Sequence, residues 1–330
     1  MHFIVLGAGA IGCYVGGRLA AAGQSVTLVG RPSVLDPIRR DGLTVTDLEG
    51  FSAVVPAKDL HPTESLAGVD WRPDSVVLLC VKGGATATAA QSLAQACPAG
   101  TPVISLQNGV DNVARIAERA PHLQALAAMV PYNVVLRGAR VHRATAGTIQ
   151  LELHAATERV AQALQQAGVD ASRPADIRAV QWGKLLLNLN NPVNALSNLP
   201  LREELLDRDC RMVLAALQTE ALGVMARAGI RPAQVATLPP AWMPRVLRLP
   251  NVLFTRLAKR MLAMDATARS SMWDDLEAGR RTEIDDLCGA VVRLAAEQDQ
   301  QAPLNAKMCA LLQGPRLRLT GAQLRRTLGV

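Results

Sequence analysis

A glycine-rich turn directly after the first apolar run is the feature that most constrains this chain. Residues 1–6 have the apolar character of a short buried strand, and a six-residue turn follows without a spacer: Gly7-Ala8-Gly9-Ala10-Ile11-Gly12. A helix is predicted next, then a second strand over 25–29. A G-x-G-x-x-G turn between a strand and a helix lets the backbone approach a pyrophosphate, which the helix N-terminus attracts. The sequence therefore predicts a dinucleotide-binding unit of Rossmann type, rather than a merely structural turn.

The residues after the second predicted strand indicate which dinucleotide binds. A site for NAD usually carries Asp or Glu there, which accepts a hydrogen bond from the ribose 2′-hydroxyl. This chain has Gly30 and Arg31 instead. A guanidinium holds a 2′-phosphate bidentately, so the pattern favours NADP(H) over NAD(H). The alternative is that Arg31 is one of many surface arginines.

Length and composition bound the class of protein. A chain of 330 residues has room for two domains, and 49% hydrophobic with 19% charged residues describes an ordinary globular protein. No apolar run approaches the ~18 residues of a membrane span. The first predicted strand begins at Met1. We therefore expect no membrane segment, no signal peptide and a cytoplasmic location.

Cysteine and arginine usage argues against metal and nucleic-acid sites. The six cysteines are scattered, with neither a C-x-x-C pair nor a histidine at ligand spacing, so no metal is expected. The net charge is +7, but the arginines are dispersed and aromatic residues make up only 3% of the chain. Stacking platforms for bases are therefore scarce. We expect the charge to attract anionic small molecules, not nucleic acid.

The order of predicted elements gives the fold class: α/β, with an N-terminal Rossmann-type doubly wound parallel sheet and a C-terminal all-helical domain. We place the NADP(H)-binding domain at 1–173 and the helical substrate-binding domain at 174–330. The first half is predicted to contain strands at 3–6, 25–29, 44–46, 76–81 and 102–106, an edge strand within 147–153, and helices at 10–22, 85–96, 112–119 and 160–167. The second half is predicted to contain helices at 180–189, 201–228, 251–264, 271–276, 283–298 and 304–312.

One predicted helix of the second half carries polar side chains on an apolar background. Lys184, Asn188 and Asn191 lie at i, i+4 and i+7, which is one face of a helix. Only five of the 35 basic residues are lysines, and lysine, unlike arginine, changes its pKa when desolvated. No histidine lies in this half, so Lys184 is the candidate proton donor. The alternative is a snorkelling lysine beside asparagines that cap or kink the helix at Pro192.

Two predicted helix starts follow about a hundred residues later. Ser271 with Asp274, and Thr282 with Asp285, have the spacing of helix caps. A serine at a helix start also suits a carboxylate ligand. Glu283 is either a partner of the helix dipole or the group that keeps Lys184 charged.

Polar residues also follow two predicted strands of the first half. Lys82 comes after the strand at 76–81, and Asn108 comes after the strand at 102–106. Ligands collect at the carboxyl ends of such strands, although a turn alone would explain Asn108-Gly109. We predict that these two residues face the polar residues of the second half across a cleft between the domains.

Together these segments resemble the 2-dehydropantoate 2-reductase (ketopantoate reductase) family over nearly the whole chain. The motifs stand in the family's order and approximate spacing: Gly7-Ala8-Gly9-Ala10-Ile11-Gly12, Val81-Lys82, Gln107-Asn108-Gly109, Trp182-Gly183-Lys184-Leu185, Ser270-Ser271-Met272 and Thr282-Glu283-Ile284-Asp285. The resemblance implies NADPH-dependent reduction of ketopantoate to pantoate, in pantothenate biosynthesis. It also implies a helical domain that closes over the 2-oxoacid.

The resemblance assigns roles to individual residues. It implies that Lys184 is the catalytic acid and that Glu283 is the second catalytic residue, near the substrate hydroxyl. The residues implied to bind NADP(H) are Gly7, Ala8, Gly9, Ala10, Ile11, Gly12, Arg31, Lys82 and Asn108. The residues implied to bind substrate are Asn108, Asn188, Asn191 and Ser271.

The chain departs from the family pattern at one place. The family has a second asparagine eight residues after the lysine, followed by proline, whereas Asn191-Pro192 comes one residue early. Helical geometry favours Asn191 as the substitute, and Asn194 is the alternative. The shift leaves open a reductase of another branched or hydroxylated 2-oxoacid. A non-catalytic NADP(H)-sensing protein is the alternative from another class. We expect a small-molecule 2-oxoacid as substrate and a second copy of the chain, in a homodimer, as partner.

Overall fold

The computed structural model describes residues 1–263 and 265–330, which form two compact units. The first unit is Met1–Arg178 and the second is Ala179–Val330. All the strands of the described residues lie in the first unit, and the described part of the second unit is helical. The α/β class with a helical second half is therefore as the sequence predicts.

The first unit alternates strands and helices. The strands are β1 (His2–Leu6), β2 (Ser25–Val29), β3 (Leu43–Asp47), β4 (Ser52–Val55), β5 (Ser75–Leu79), β6 (Pro102–Ser105), β7 (Gln124–Met129), β8 (Val134–Arg137), β9 (Arg140–Arg143), β10 (Ile149–Leu151) and β11 (Ala171–Ser172). The helices are α1 (Ala10–Ala21), α2 (Pro32–Asp41), α3 (Thr86–Ala96), α4 (Asn112–Arg119) and α5 (Ala155–Gln166).

The second unit is a bundle of helices that begins with α6 (Ile177–Asn188), whose first two residues belong to the first unit. The further helices are α7 (Asn190–Ser197), α8 (Leu201–Leu206), α9 (Arg208–Arg227), α10 (Met243–Leu247), α11 (Asn251–Leu257), α12 (Lys259–Leu262), α13 (Ser271–Glu277), α14 (Ile284–Ala296), α15 (Pro303–Gln313) and α16 (Gly321–Leu328).

The seven-stranded main sheet has the order β11-β10-β7-β6-β5-β1-β2. β1, β2, β5, β6 and β7 are parallel, and β10 pairs antiparallel with β7. Because β2 lies on one side of β1 and β5 lies on the other, the strand order reverses between β1 and β5. Open α/β sheets bind ligands at such a reversal, outside the carboxyl ends of the strands. Leu6 pairs with both Val29 and Leu79, so the loops after these three strands meet at one edge.

Strand alternation gives the main sheet a hydrophobic core on each face. Phe3 and Val5 of β1 pack into the core that includes α1 and α5, whereas Ile4 packs into the core that includes α3 and α4. All three side chains are fully buried. β1 is therefore a central strand, and the turn that follows it stands on a rigid support.

A second sheet, with the order β4-β3-β9-β8, lies in the same unit. The strand predicted at 44–46 is β3, but it belongs to this sheet, where it pairs antiparallel with β4 and parallel with β9. The strand predicted within 147–153 is β10, and it is not at the edge because β11 pairs with it. The doubly wound parallel sheet is confirmed; these two strand positions are corrected.

Several elements are not predicted from the sequence: α2, β4, β7, β8, β9 and β11 in the first unit, and α7, α10 and α16 in the second. β7 (QALAAM) is rich in alanine, a poor strand former, and it becomes a strand because β6 and β10 pair with it on both sides. α2 starts with Pro32 and contains Pro37, which hides it from a search for helical periodicity. Tertiary pairing and proline placement thus explain these omissions.

The second unit is organised around α9, on which α7, α8, α10, α14, α15 and α16 pack. The helix predicted at 201–228 is two helices. The Asp207 carboxylate accepts hydrogen bonds from the Asp209 and Cys210 N–H groups at 2.8 and 3.0 Å and so starts α9. The helix predicted at 251–264 is likewise α11 and α12, and its predicted end, Met264, lies outside the described residues. Within 1–263 and 265–330, every helix is too short or too polar to span a bilayer.

Candidate active site

Two glycines of the turn after β1 are required by close backbone contacts. Gly7 has φ +109°, and a Cβ added there would lie 2.6 Å from the Val81 nitrogen and 2.7 Å from the Cys80 carbonyl carbon. Both the conformation and the neighbouring chain therefore demand glycine. A Cβ added at Gly12 would collide with the Gly7 carbonyl oxygen and lie 2.9 Å from the Val5 side chain. These glycines hold α1 tightly against β1 and the loop after β5.

Gly9 differs from both because it faces open space: an added Cβ would have no heavy atom within 4 Å. Gly9 is the N-cap of α1, offers no side chain to its first N–H groups, and is followed by a first turn without acidic residues. Those N–H groups have no acceptor within the helix. The turn therefore leaves an exposed, partially positive helix start that fits a pyrophosphate.

Gly30 and Arg31 follow β2 at the same edge of the sheet. A Cβ added at Gly30 would lie 2.5 Å from the Ala8 side chain, so Gly30 lets the end of β2 pack against the glycine-rich turn. Arg31 is the N-cap of α2 and is exposed. Across the described residues, its guanidinium makes neither a hydrogen bond nor an ion pair. It is therefore available to an anionic ligand.

Lys82 and Asn108 follow β5 and β6, which continue the sheet beyond β1. Lys82 is exposed and precedes a short 3₁₀ turn, Gly83–Ala85. Asn108 is half-buried and precedes Gly109, which has φ +97°. Both residues thus lie at the carboxyl edge of the sheet that also carries the glycine-rich turn.

A buried hydrogen-bond network holds these two loops together. The Gln107 amide donates to the Val81 carbonyl at 2.9 Å and to the Thr86 hydroxyl at 2.7 Å. The Thr86 hydroxyl donates to Asn112 Oδ1 at 2.9 Å, and Asn112 Nδ2 donates to the Asn108 carbonyl at 2.7 Å. Thr86 and Asn112 are not predicted from the sequence. Each is the first residue of a helix just after a strand end, and that position is the signal that would have found them.

Lys184 lies within α6, in the second unit. Gly183 before it has no room for a side chain, because an added Cβ would collide with the Ala233 carbonyl oxygen. The Ala233 N–H donates to the Ala179 carbonyl at 2.8 Å, which fixes α6 against the segment after α9. Burial lowers the pKa of the Lys184 ammonium to about 8. A lysine with that pKa can give up a proton near neutral pH, as a general acid must.

Three asparagines of α6 and α7 differ in how much of their amides stays accessible. Asn188 and Asn191 are half-buried, whereas Asn194 is fully buried. Asn194 Nδ2 donates to Glu204 Oε2 at 2.7 Å and to a backbone carbonyl at 2.9 Å, and Asn194 Oδ1 accepts from the Ser270 N–H at 2.9 Å. Both amide protons of Asn194 already have acceptors within the protein. Asn191 is therefore the better candidate for the second asparagine of the family pattern, the one that follows the lysine.

The helix start near Ser271 differs from the predicted one. Ser270 is the N-cap of α13, and its hydroxyl accepts from the Trp273 N–H at 3.2 Å. The predicted Ser271–Asp274 cap is therefore wrong, and Ser271 is the first, exposed residue of the helix. The Ser270 hydroxyl also donates to the Asn191 carbonyl at 3.4 Å. This contact brings Ser271 close to α7.

Glu283 is the N-cap of α14 and makes no side-chain capping hydrogen bond. The predicted Thr282–Asp285 cap is wrong, because α14 begins at Ile284. Asp285 instead pairs with Arg281 at 3.3 Å. Proximity of Glu283 to Lys184 stays a prediction.

Each unit thus gathers part of the predicted site. One edge of the main sheet carries the glycine-rich turn, Arg31, Lys82 and Asn108. In the second unit, α7 packs on α13, where Ser270, the residue before Ser271, bonds to the Asn191 carbonyl. Lys184 and Asn188 lie on the preceding helix. Over the described ranges, no group of three His, Cys, Asp or Glu side chains is placed to bind a metal ion.

Comparison with known proteins follows this division of the chain. The family model of ketopantoate reductase PanE/ApbA matches residues 3–156, and the model of the C-terminal part of that family matches residues 176–316. The 2-dehydropantoate 2-reductase of Halobacterium salinarum is 29% identical over 312 residues, which cover 92% of this chain and 95% of that protein.

Solved structures agree with that comparison. A PanE/ApbA family ketopantoate reductase from Ralstonia eutropha has a TM-score of 0.81 at 28% identity, with 95% of this chain and 97% of that chain covered. D-mandelate dehydrogenase, solved with NADH and anilino(oxo)acetate, has a TM-score of 0.78 at 20% identity over the full length of both chains. At that identity the likeness shows the fold alone.

Proposed function

Because the chain belongs to the ketopantoate reductase (PanE/ApbA) family, we propose that it reduces 2-dehydropantoate to pantoate with NADPH, a step of pantothenate biosynthesis. The relatives that share its full length are named for this reaction, which is an oxidoreduction at a CH–OH group. The observation that carries the proposal is the match of both family models, over residues 3–156 and 176–316, in a chain with a lysine in α6 whose pKa burial lowers to about 8. That lysine stands in a chain whose other unit carries a complete dinucleotide turn.

The first unit supplies the cofactor site. The open approach at Gly9 and the uncapped start of α1 fit the pyrophosphate, and the exposed Arg31 guanidinium fits a 2′-phosphate. Lys82 and Asn108 lie at the same edge and would hold the nicotinamide half. When bound, the reduced nicotinamide supplies a hydride to the keto carbon.

Lys184 acts on the oxygen of the reacting carbonyl. Negative charge develops on that oxygen as its carbon is reduced, and an ammonium in a water-poor site stabilises the charge. The ammonium then donates its proton, which leaves a hydroxyl on the product and a neutral amine on the enzyme. A lysine suits both steps because its desolvated amine releases a proton near neutral pH, whereas a guanidinium does not.

The remaining polar residues of the second unit bind the substrate. We assign the carboxylate to Ser271, whose hydroxyl is exposed at the start of α13, and to Asn191 beside it. Asn188 lies one helical turn beyond Lys184 and would bind the same molecule. Glu283 is assigned to the hydroxyl of the substrate, where a carboxylate is a good acceptor.

A second candidate is the reduction of another branched or hydroxylated 2-oxoacid. The observation in its favour is the one-residue shift of Asn191-Pro192 together with the buried, fully bonded Asn194 amide. The contacts to the substrate's distal end then differ from the family pattern, while the hydride and proton transfers stay the same.

A screen of 2-oxoacids tests the proposal. Ketopantoate, unbranched and branched 2-oxoacids, and hydroxylated analogues are incubated with the enzyme and NADPH, and oxidation of the nicotinamide is followed by absorbance. We expect the highest kcat/KM with ketopantoate. A higher value with another branched acid would favour the second candidate, and no turnover with any 2-oxoacid would refute both. Analytical ultracentrifugation tests the expected homodimer, since cyclic dimers are the commonest oligomers.

A further inference from the structure

A buried carboxyl in the second unit has no part in the chemistry above. Glu204 of α8 is only 1% exposed. Its Oε2 accepts a hydrogen bond from Asn194 Nδ2 at 2.7 Å and a longer one from Asn190 Nδ2 at 3.5 Å. Burial raises the pKa of Glu204 to about 8, against the opposing effect of these two amides. The carboxyl is therefore protonated, and neutral, near pH 7.

A proton makes Glu204 a donor as well as an acceptor for the amides beside it. Asn190 Oδ1 is buried and has no hydrogen-bond partner among the described residues. A half-turn of the Asn190 amide would exchange Oδ1 with Nδ2 and bring the oxygen to 3.5 Å from Glu204 Oε2. The neutral acid would then donate to Asn190 and accept from Asn194.

The Asn194 amide links Glu204 to the part of the second unit that is proposed to bind the substrate. Asn194 Nδ2 donates a hydrogen bond to Glu204 Oε2, and Asn194 Oδ1 accepts one from the Ser270 N–H at 2.9 Å. The Ser270 hydroxyl donates to the Asn191 carbonyl at 3.4 Å. Glu204, Asn194 and Ser270 are all buried. Two hydrogen bonds thus connect the carboxyl to the residue before Ser271, across 76 positions of sequence between Asn194 and Ser270.

We propose that Glu204 is a positioning residue: through Asn194 and Ser270 it holds Ser271 and Asn191 in the arrangement that binds the substrate. The proposal rests on the function proposed above. Without Glu204, a buried amide proton of Asn194 loses its acceptor, which is costly for a buried donor. The amide would turn to find another acceptor, and the Ser270 N–H would lose its partner in the process. Glu204 itself touches none of the reacting atoms.

Three variants separate this role from a general loss of stability. Glu204→Leu removes the acceptor. Glu204→Gln keeps the shape of the neutral acid and an oxygen at the position of Oε2, which accepts from Asn194. Glu203→Leu makes the same change at the neighbouring, exposed position and is the control. For each, kcat and KM for the 2-oxoacid, the NADPH dissociation constant, and hydrogen exchange of the segment 270–277 are measured.

We expect Glu204→Leu to raise KM for the 2-oxoacid about tenfold and to speed exchange at 270–277, with kcat less affected. NADPH binding should not change, because the first unit carries it. Glu204→Gln should restore KM to within about threefold of wild type, since the acceptor for Asn194 is kept. Glu203→Leu should match wild type throughout.

An unchanged KM in Glu204→Leu would overturn the proposal, and so would a Glu204→Gln variant as impaired as Glu204→Leu. If Glu204→Leu does not fold, Glu204→Asp replaces it. Its carboxyl is one methylene short of Asn194, and normal KM with normal exchange in that variant would overturn the proposal too. Wild type without turnover of any 2-oxoacid would refute the proposed function and this role together. Wild-type turnover with normal KM in the variants would refute the positioning role alone.

Discussion

The glycine-rich turn of the first unit and the α7–α13 junction of the second unit (Asn191, Asn194, Glu204, Ser270 and Ser271) hold the groups proposed to bind ligands by opposite means. The turn works by omitting side chains: Gly7 and Gly12 touch neighbouring backbone, and Gly9 leaves space. The junction works through buried side chains that bond to one another. The glycine-rich turn depends on residues that are neighbours in the sequence. The junction depends on side chains from distant segments, which only the fold brings together.

The largest expected effect separates catalysis in the second unit from cofactor binding in the first. Lys184→Ala removes both a proton donor and a positive charge from the developing alkoxide. Loss of a general acid alone lowers kcat by about 10²- to 10⁴-fold, and loss of the charge adds to that. The NADPH dissociation constant should stay close to that of wild type. Stopped-flow turnover and fluorescence titration with NADPH measure the two quantities. Near-normal turnover would remove Lys184 from the mechanism.

Lys184→Arg and the pH profile test whether the lysine donates a proton or only attracts charge. Burial lowers the pKa of Lys184 to about 8, so the acid form is present below that pH and disappears above it. We expect kcat/KM to be level below pH 8 and to fall about tenfold per pH unit above it. Lys184→Arg should have little activity and no such fall, because guanidinium stays protonated. A flat wild-type profile would contradict the role of Lys184 as donor. Since the pKa of Glu204 is raised to about 8 as well, Glu204→Gln is the control, and its profile should match that of wild type.

The same contrast shows how far the sequence predicts this protein. The parallel sheet, the helical second half and the position of the glycine-rich turn are predicted, because period and glycine spacing are local signals. β7 is missed since its alanines form a strand only between β6 and β10. Ser271 is misassigned as a helix cap because Ser270 precedes it with the same hydroxyl, and only Trp273 shows which serine caps. Helical spacing favours Asn191 over Asn194, but the contact that occupies the Asn194 amide, to Glu204, is seen only in the fold.

Two glycine substitutions sharpen the description of the turn as a backbone device. Gly9→Val faces open space, so we expect a melting temperature close to wild type. Its side chain would block the pyrophosphate, and loss of two charge-assisted hydrogen bonds costs about 3–6 kcal/mol, at least about a hundredfold in the NADPH dissociation constant. Gly7→Ala adds a Cβ at a residue with φ +109°, and this Cβ would collide with the backbone of Val81. It should therefore destabilise the fold by about 1–3 kcal/mol. Thermal unfolding without ligand measures the melting temperatures of the two variants. Equal values would contradict the expectation that only Gly7→Ala destabilises the fold.

Arg31→Ala tests whether a side chain completes the otherwise backbone-made cofactor site. Loss of the guanidinium removes charge-assisted hydrogen bonds to the 2′-phosphate, worth about 1.5–3 kcal/mol, or roughly ten- to a hundredfold. NADPH carries that phosphate and NADH does not, so only kcat/KM for NADPH should fall. The ratio of the two values in wild type and variant is the measurement. A wild type that prefers NADH would refute the NADP(H) assignment, and an unchanged ratio in Arg31→Ala would assign the phosphate to another residue.

The smallest expected effects distinguish the two adjacent serines of the junction. Ser270→Ala removes the cap of α13 and the hydroxyl that reaches the Asn191 carbonyl, which should lower the free energy of unfolding by about 1 kcal/mol. Ser271→Ala removes an exposed hydroxyl that caps nothing, so stability should be unchanged within about 0.5 kcal/mol. Its effect should appear in KM for the 2-oxoacid, because a hydrogen bond to a carboxylate contributes about 1.5–3 kcal/mol. Urea denaturation gives the free energy of unfolding of each variant, and steady-state kinetics give its KM for the 2-oxoacid. If Ser271→Ala loses stability while KM stays normal, Ser271 is a structural residue and the carboxylate must be bound elsewhere.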